Sequence, residues 1–154
     1  NAFHTLLGLE TLSLRMKQHV KNSIKISNWL EKHPLIESVS YVGLNSSKYA
    51  KIVKKIFPKG AGALFTIALK DGYDACLELV NNVELFSHVA NLGDTRSLII
   101  HPASTVHRQL TKEQQIKADL APNIVRLSIG IEDPADLIKD LKQALSKIKS
   151  KNKT

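Results

Sequence analysis

Cysteine occurs once in these 154 residues, aromatic side chains make up 5%, and arginine appears four times against eighteen lysines. Each scarcity excludes something. The single thiol, Cys76, forms no intramolecular disulfide, and its place in the apolar run Cys76-Leu77-Glu78-Leu79-Val80 marks it as buried and inert. A chain without a disulfide framework fits a reducing compartment, so a cytoplasmic location is expected. No apolar run approaches the roughly 20 residues of a membrane span, and no basic region followed by an apolar one opens the chain as a secretory signal would. No membrane partner is therefore expected. An initiator methionine is also missing: Asn1 falls inside a helical pattern, which reads as a piece of a longer protein.

Positive charge is abundant. A net charge of +8 and a pI near 9.6 would permit binding to nucleic acid or another polyanion. Scarce arginine, few aromatics and the absence of zinc-finger or RNA-binding aromatic spacing argue against that as the leading function. The lysines cluster at Lys48, Lys51, Lys54, Lys55 and Lys59 and again at Lys147, Lys149, Lys151 and Lys153. A solvated helix face and a basic, disordered tail over 149–154 account for them, and no nucleic-acid partner is expected. A polyanion-binding module remains the alternative of another class. Its mark would be a continuous groove joining these lysines and lined by Tyr41 or Tyr49.

At 43% hydrophobic, the chain can bury the core of one domain. Leu9, Leu12, Met16 and Val20, continued by Ile26, Trp29 and Leu30, predict a long connecting helix over 1–33 that Pro34 ends. Residues 34–148 then alternate short strands and helices. Strands are expected at 36–42, 63–69, 85–89, 97–100 and 124–129. Helices are expected from Ser46 or Ser47 to Phe57, from Asp71 to about Asn81, from the Thr111/Gln114 capping box to about Ala118, and from Asp133-Pro134 to about Ile148. This order without strict β-α alternation predicts an α+β fold: a mixed or mainly antiparallel sheet with helices on one face, preceded by the long N-terminal helix.

In the last strand Val125, Leu127 and Ile129 share one face, and Ile124, Arg126, Ser128 and Gly130 the other. An arginine in the middle of a β-branched strand requires an anion, because a buried unpaired charge is costly. A salt bridge to Glu132 or Asp94 would meet that need. So would a bound carboxylate, which the planar guanidinium grips with two parallel hydrogen bonds. Asn91, before Leu92-Gly93-Asp94, has the residue type of a turn former. His88, His101, His107 and Cys76 match no zinc spacing, so no metal is expected. No Gly-x-Ser-x-Gly elbow supports a hydrolase. Gly60-Ala61-Gly62 leads into a strand, not into the helix N-terminus that a phosphate loop needs. Lys112 belongs to the capping box of Thr111.

Taken together, Asn91-Leu92-Gly93-Asp94, Ser97-Leu98-Ile99-Ile100-His101-Pro102-Ala103-Ser104-Thr105 and Val125-Arg126-Leu127-Ser128-Ile129-Gly130-Ile131-Glu132-Asp133 resemble the C-terminal domain of the Cys/Met-metabolism family of pyridoxal-phosphate enzymes, most of all its O-acetylhomoserine sulfhydrylases. Gly8-Leu9-Glu10-Thr11-Leu12, Arg15 and His19 extend the likeness to the start. Val106 and Asp119 depart from the pattern. The resemblance implies a C-terminal domain of a fold-type I enzyme in which Arg126, aided by the Asn91 side chain and the Leu92 amide, binds the substrate α-carboxylate. His101 and His107 become loop organisers. It further implies a pyridoxal phosphate cofactor held by a domain upstream of Asn1, with no catalytic or cofactor-binding residue in this chain. Implied partners are O-acetylhomoserine, sulfide or a thiol, that upstream domain, and further copies in a homo-oligomer, a tetramer. Cystathionine synthases, cystathionine lyases and methionine lyases of the same family are the alternatives.

Overall fold

The computed structural model describes residues 2–117 and 121–148, with backbone only for Lys112, Gln115 and Ile116. Asp119 and the tail over 149–154 lie outside the described residues. Four strands form one sheet: β1 (Ile36–Ser40), β2 (Leu64–Leu69), β3 (Leu98–Ile100) and β4 (Ile124–Ser128), in the order β1-β2-β4-β3 with every pair antiparallel. The helices are α1 (Ala2–Glu10), α2 (Leu12–Leu30), α3 (Ala50–Ile56), α4 (Gly72–Asn82), α5 (Lys112–Lys117) and α6 (Pro134–Ser146), with a 3-10 turn at Pro102–Ser104.

Alternation along the strands decides where the core lies. Phe65 and Ile99 flank Leu127, and Ile67 pairs with Val125, so these side chains share one face. That face meets Ile26 and Leu30 of α2, Cys76 and Leu79 of α4, and Leu137, Leu141 and Leu145 of α6, all within one buried cluster. The fold is the expected α+β arrangement, a sheet with its helices on one face. Burial pushes the Cys76 thiol up to about 12, which leaves it inert at neutral pH. The final helix begins as its sequence predicts: Asp133 caps it by accepting from the Ala135 amide at 2.7 Å, with Pro134 in the first turn. Thr111 and Gln114 complete their capping box at 2.9 and 3.2 Å.

Local departures each have a cause. The opening helical stretch is two helices, broken at Thr11, where Arg15 turns back to donate to the Gly8 carbonyl at 2.6 Å and satisfies an acceptor that the end of α1 leaves open. The buried face of α2 is His19, Asn22, Ser23, Ile26, Ser27 and Leu30, whereas the expected Leu12 and Met16 are exposed. The α3 helix starts only at Ala50, because Ser46 instead donates to Glu31 at 2.6 Å and Ser47 accepts from the Tyr49 amide at 3.2 Å in a local turn. Asp71 precedes α4 without making a capping bond.

The expected strand at 85–89 is reduced to a single bridge between Ser87 and Leu98. The amides of Glu84, Leu85 and Phe86 donate to the carboxylate of Asp140 on α6, at 2.9, 2.8 and 3.2 Å, so the donors that a sheet partner would need are already engaged. Gln143 adds a fourth bond at 3.0 Å. Burial raises the Asp140 pKa, but these hydrogen bonds outweigh it and hold the carboxyl below its ordinary value.

Asp140 therefore contributes stability that is present above the pKa of an unfolded aspartate and is lost as the pH falls below about 4. Asp140→Ala, which leaves three amides without their acceptor, should cost about 3 kcal/mol in urea unfolding at pH 7, with the difference from the parent shrinking on acidification.

Candidate functional site

Arg126 occupies the middle of β4, paired with Thr66 on one side and Ile100 on the other. Its neighbours Val125 and Leu127 are fully buried among the helices, so its own side chain projects from the opposite face, half-buried. Both carboxylates proposed as partners are engaged elsewhere. Asp94 pairs with Arg96 at 3.2 Å, and the hydrogen bonds from Arg96 hold its carboxyl below the ordinary value. Glu132 accepts from the Ser97 amide at 2.6 Å and from the Ser97 hydroxyl at 2.9 Å. Among the described residues, no carboxylate lies within ion-pair distance of Arg126. The guanidinium instead points Nη2 toward the Asn91 carbonyl oxygen at 3.4 Å, a long bond that leaves most of its donors open.

The three residues singled out from the sequence thus come together, although 35 positions separate Asn91 from Arg126. Leu92 is two-thirds exposed. Its amide donates to Asn91 Oδ1 at 2.9 Å, so these two groups satisfy each other, and a carboxylate reaching the amide would replace that local bond. Gly93 follows at φ +75, a left-handed conformation that suits glycine and reverses the chain beside the guanidinium. Leu64 shares the Arg126 face through its pairing with Ser128 and is exposed, giving the site an apolar margin.

A supporting group behind this face was not singled out from the sequence. Past the end of β4, the carbonyls of Ile129, Gly130 and Glu132 point inward and need donors. His19 Nδ1 meets the first at 2.6 Å, and the Asn22 amide donates to the other two at 3.0 and 2.8 Å. Gln18 in turn donates to Asn22 at 2.8 Å. The signal available in the sequence was a set of polar residues, 19, 22 and 23, at helical spacing with Ile26 and Leu30. The opposite ring nitrogen of His19, Nε2, is buried with no hydrogen-bond partner among the described residues.

His101 is fully buried and organises the loop after β3. Its Nε2 donates to the Pro122 carbonyl at 2.8 Å, which leaves Nδ1 to accept from Ser104 at 3.0 Å. Tyr73 packs edge-on at 4.8 Å between ring centroids. Burial, only partly opposed by the Pro122 bond, lowers its pKa. Among the described residues no cluster of His, Cys, Asp and Glu could hold a metal, and no helix is long and apolar enough to cross a membrane. Lys51, Lys54, Lys55 and Lys59 are exposed around α3. Tyr41 is buried and donates to the Gly62 carbonyl at 2.8 Å, so it offers no stacking platform to a nucleic acid.

The family model for "Cys/Met metabolism PLP-dependent enzyme" matches residues 1–146. The O-acetyl-L-homoserine sulfhydrylase 1 of Thermus thermophilus is 45% identical over 145 residues, 94% of this chain and 34% of that protein. The homocysteine synthase of Schizosaccharomyces pombe is 46% identical over 93% of this chain and 33% of its own length. The L-methionine gamma-lyase of Fusobacterium nucleatum subsp. polymorphum is 43% identical over 96% and 37%. A crystal structure from Campylobacter jejuni, described as that of an O-acetylhomoserine (thiol)-lyase with an N'-pyridoxyl-lysine-5'-monophosphate, superposes with a TM-score of 0.88 at 44% identity, covering 96% of this chain and 35% of that one. The chain spans about a third of the length of the relatives it matches.

The His101 geometry has a measurable consequence. An imidazole that stays neutral in the folded state refuses a proton that the unfolded chain accepts, so stability should fall as the pH drops below about 6.5. NMR titration of labelled histidine should place the His101 midpoint below that value, and His101→Asn should flatten the stability profile between about pH 5 and 6.5.

Proposed function

The chain belongs to the Cys/Met metabolism PLP-dependent enzyme family, and from that membership we propose that it is the substrate-orienting C-terminal part of an O-acetylhomoserine sulfhydrylase. The intact enzyme would eliminate acetate from O-acetylhomoserine and add sulfide or a thiol, giving homocysteine in the sulfide case. Three kinds of relative carry names for this chemistry or its neighbours: sulfhydrylases, a homocysteine synthase and methionine gamma-lyases. The sulfhydrylase loop signature around Asn91 and His101 favours the first.

One observation carries the reading. Arg126 is a strand-centred guanidinium with no carboxylate of its own among the described residues, set beside the Asn91–Leu92 turn. A substrate α-carboxylate supplies the missing anion. Arg126 grips it through two parallel N–H donors, and the Leu92 amide and Asn91 side chain fix its rotation, so that the carbon bearing the amino group is held in one orientation. The exposed Leu64 and Leu92 at the margin are surfaces for a further part of the protein to cover, which would exclude water and strengthen the ion pair.

Pyridoxal phosphate, when bound, supplies the electron sink for the elimination. Residues suited to hold it are not found among those described. Every lysine whose side chain is described is exposed, and Gly60-Ala61-Gly62 runs toward β2 instead of a helix N-terminus. In this reading the cofactor-holding groups lie in an upstream domain; the chain covers 34% of the length of its sulfhydrylase relatives. Further copies of the protein complete the homo-oligomer.

In the full-length protein, Arg126→Lys should raise KM for O-acetylhomoserine about 10- to 100-fold, the worth of a charge-assisted bidentate contact. Unchanged kinetics would remove the carboxylate role. Assay with sulfide against methionine breakdown separates the sulfhydrylase from the gamma-lyase activity. This 154-residue chain alone, mixed with pyridoxal phosphate and reduced with borohydride, should show no stoichiometric label on any one lysine; a single labelled peptide together with turnover would overturn the division of labour.

A further inference from the structure

The turn bearing Asn91 and Leu92 belongs to a segment whose other end is latched onto the exit of Arg126's own strand. Ser97 is fully buried, and both oxygens of Glu132 are engaged with it: Oε1 with the amide at 2.6 Å and Oε2 with the hydroxyl at 2.9 Å. Because the Ser97 proton goes to Glu132, its lone pair is free to accept from the Gly130 amide at 2.8 Å. One step along, the Ile131 amide donates to the Thr95 carbonyl at 2.9 Å. The contact is too close for any side chain at position 130: a Cβ there would overlap Glu132 Oε2 and the Thr95 carbonyl and lie 2.6 Å from the Arg96 carbonyl carbon. Asn22 holds the Glu132 backbone from the helical side.

We propose that Glu132 and Ser97 are positioning residues for the carboxylate site, locking the 91–97 segment to the end of β4 and so setting the gap between the Arg126 guanidinium and the Leu92 amide. This rests on the reading of Arg126, Asn91 and Leu92 as the carboxylate-binding group. The Ser97–Gly130 contact lies four residues from Arg126 along the strand exit and five from Leu92 along the other segment, with Glu132 six from Arg126, so a slip of either segment widens the gap directly. A carboxylate at position 132 is required for a directional reason. The isosteric amide would point an NH2 donor at the Ser97 hydroxyl, which would then face two donors and lose the acceptor for its own proton.

The test compares two ligands of the full-length holoenzyme, L-norleucine and pentylamine, which differ by the carboxylate alone. Glu132→Gln and Ser97→Ala should each weaken norleucine about 5- to 20-fold, the scale of a misplaced contact, while leaving pentylamine within about twofold. Ser97→Thr, which keeps the hydroxyl, should retain the parental ratio. Amide exchange at Gly130 should quicken in Ser97→Ala, which removes its acceptor. A general loosening of the fold would weaken both ligands equally and would overturn the inference. If Arg126→Lys lowers the norleucine preference while Glu132→Gln and Ser97→Ala do not, the latch is wrong and the carboxylate site stands. If Arg126→Lys leaves the preference unchanged, the underlying reading falls, and the latch with it.

Discussion

Three carbonyl oxygens turned inward after the last strand govern the placement of everything around them. Ile129, Gly130 and Glu132 carry the chain from β4 toward α6 through the interior, where an unpaired buried carbonyl costs about 1–3 kcal/mol. His19 and Asn22 answer that need from α2. A helix that would otherwise present an unbroken apolar stripe therefore buries polar groups at its centre and keeps Ile26 and Leu30 for the core. The contact fixes α2 against the strand exit, and with it the face on which Arg126 can stand clear of the helices.

A guanidinium without a carboxylate partner among the described residues is tolerable there because it is only half-buried. It keeps part of its hydration, and the cost that a fully enclosed charge would carry is avoided. The arrangement differs from a structural ion pair in one respect that matters for function. Arg96 is held by Asp94 through several contacts, whereas among the described residues Arg126 has a single long bond, to a carbonyl. One arginine is fastened and the other is available.

Much of this was legible in the sequence, and the reason is locality. Alternation in Val125-Arg126-Leu127 separates the core face from the Arg126 face, and the caps at Asp133-Pro134 and Thr111/Gln114 act within four residues. The convergence of Asn91, Leu92 and Arg126 came from the resemblance, since no local window joins residues 35 positions apart. What escaped were interactions between a short segment and one distant side chain. Leu85 to Val89 has a strand's composition, but its leading amides belong to Asp140, more than 50 positions later. Glu132 stood out only as a candidate partner for Arg126, and nothing local joined it to Ser97, 35 positions earlier. The polar face of α2 has its reason in three carbonyls more than 100 positions away.

The anchoring of the segment between α4 and β3 also bears on the order in which the molecule can assemble. Its beginning, at residues 84–86, is held by Asp140 of α6, and its end, at Ser97, by Glu132. Both anchors lie in the last strand exit and the last helix, so closing them requires the chain to bridge 35 to 56 positions. On a ribosome, where the chain emerges from its N-terminus, the turn with Asn91 would already be outside the tunnel while neither of its fastenings yet existed. The half of the site that waits longest for its partners is therefore made first, and it acquires a defined shape only when the final helix docks.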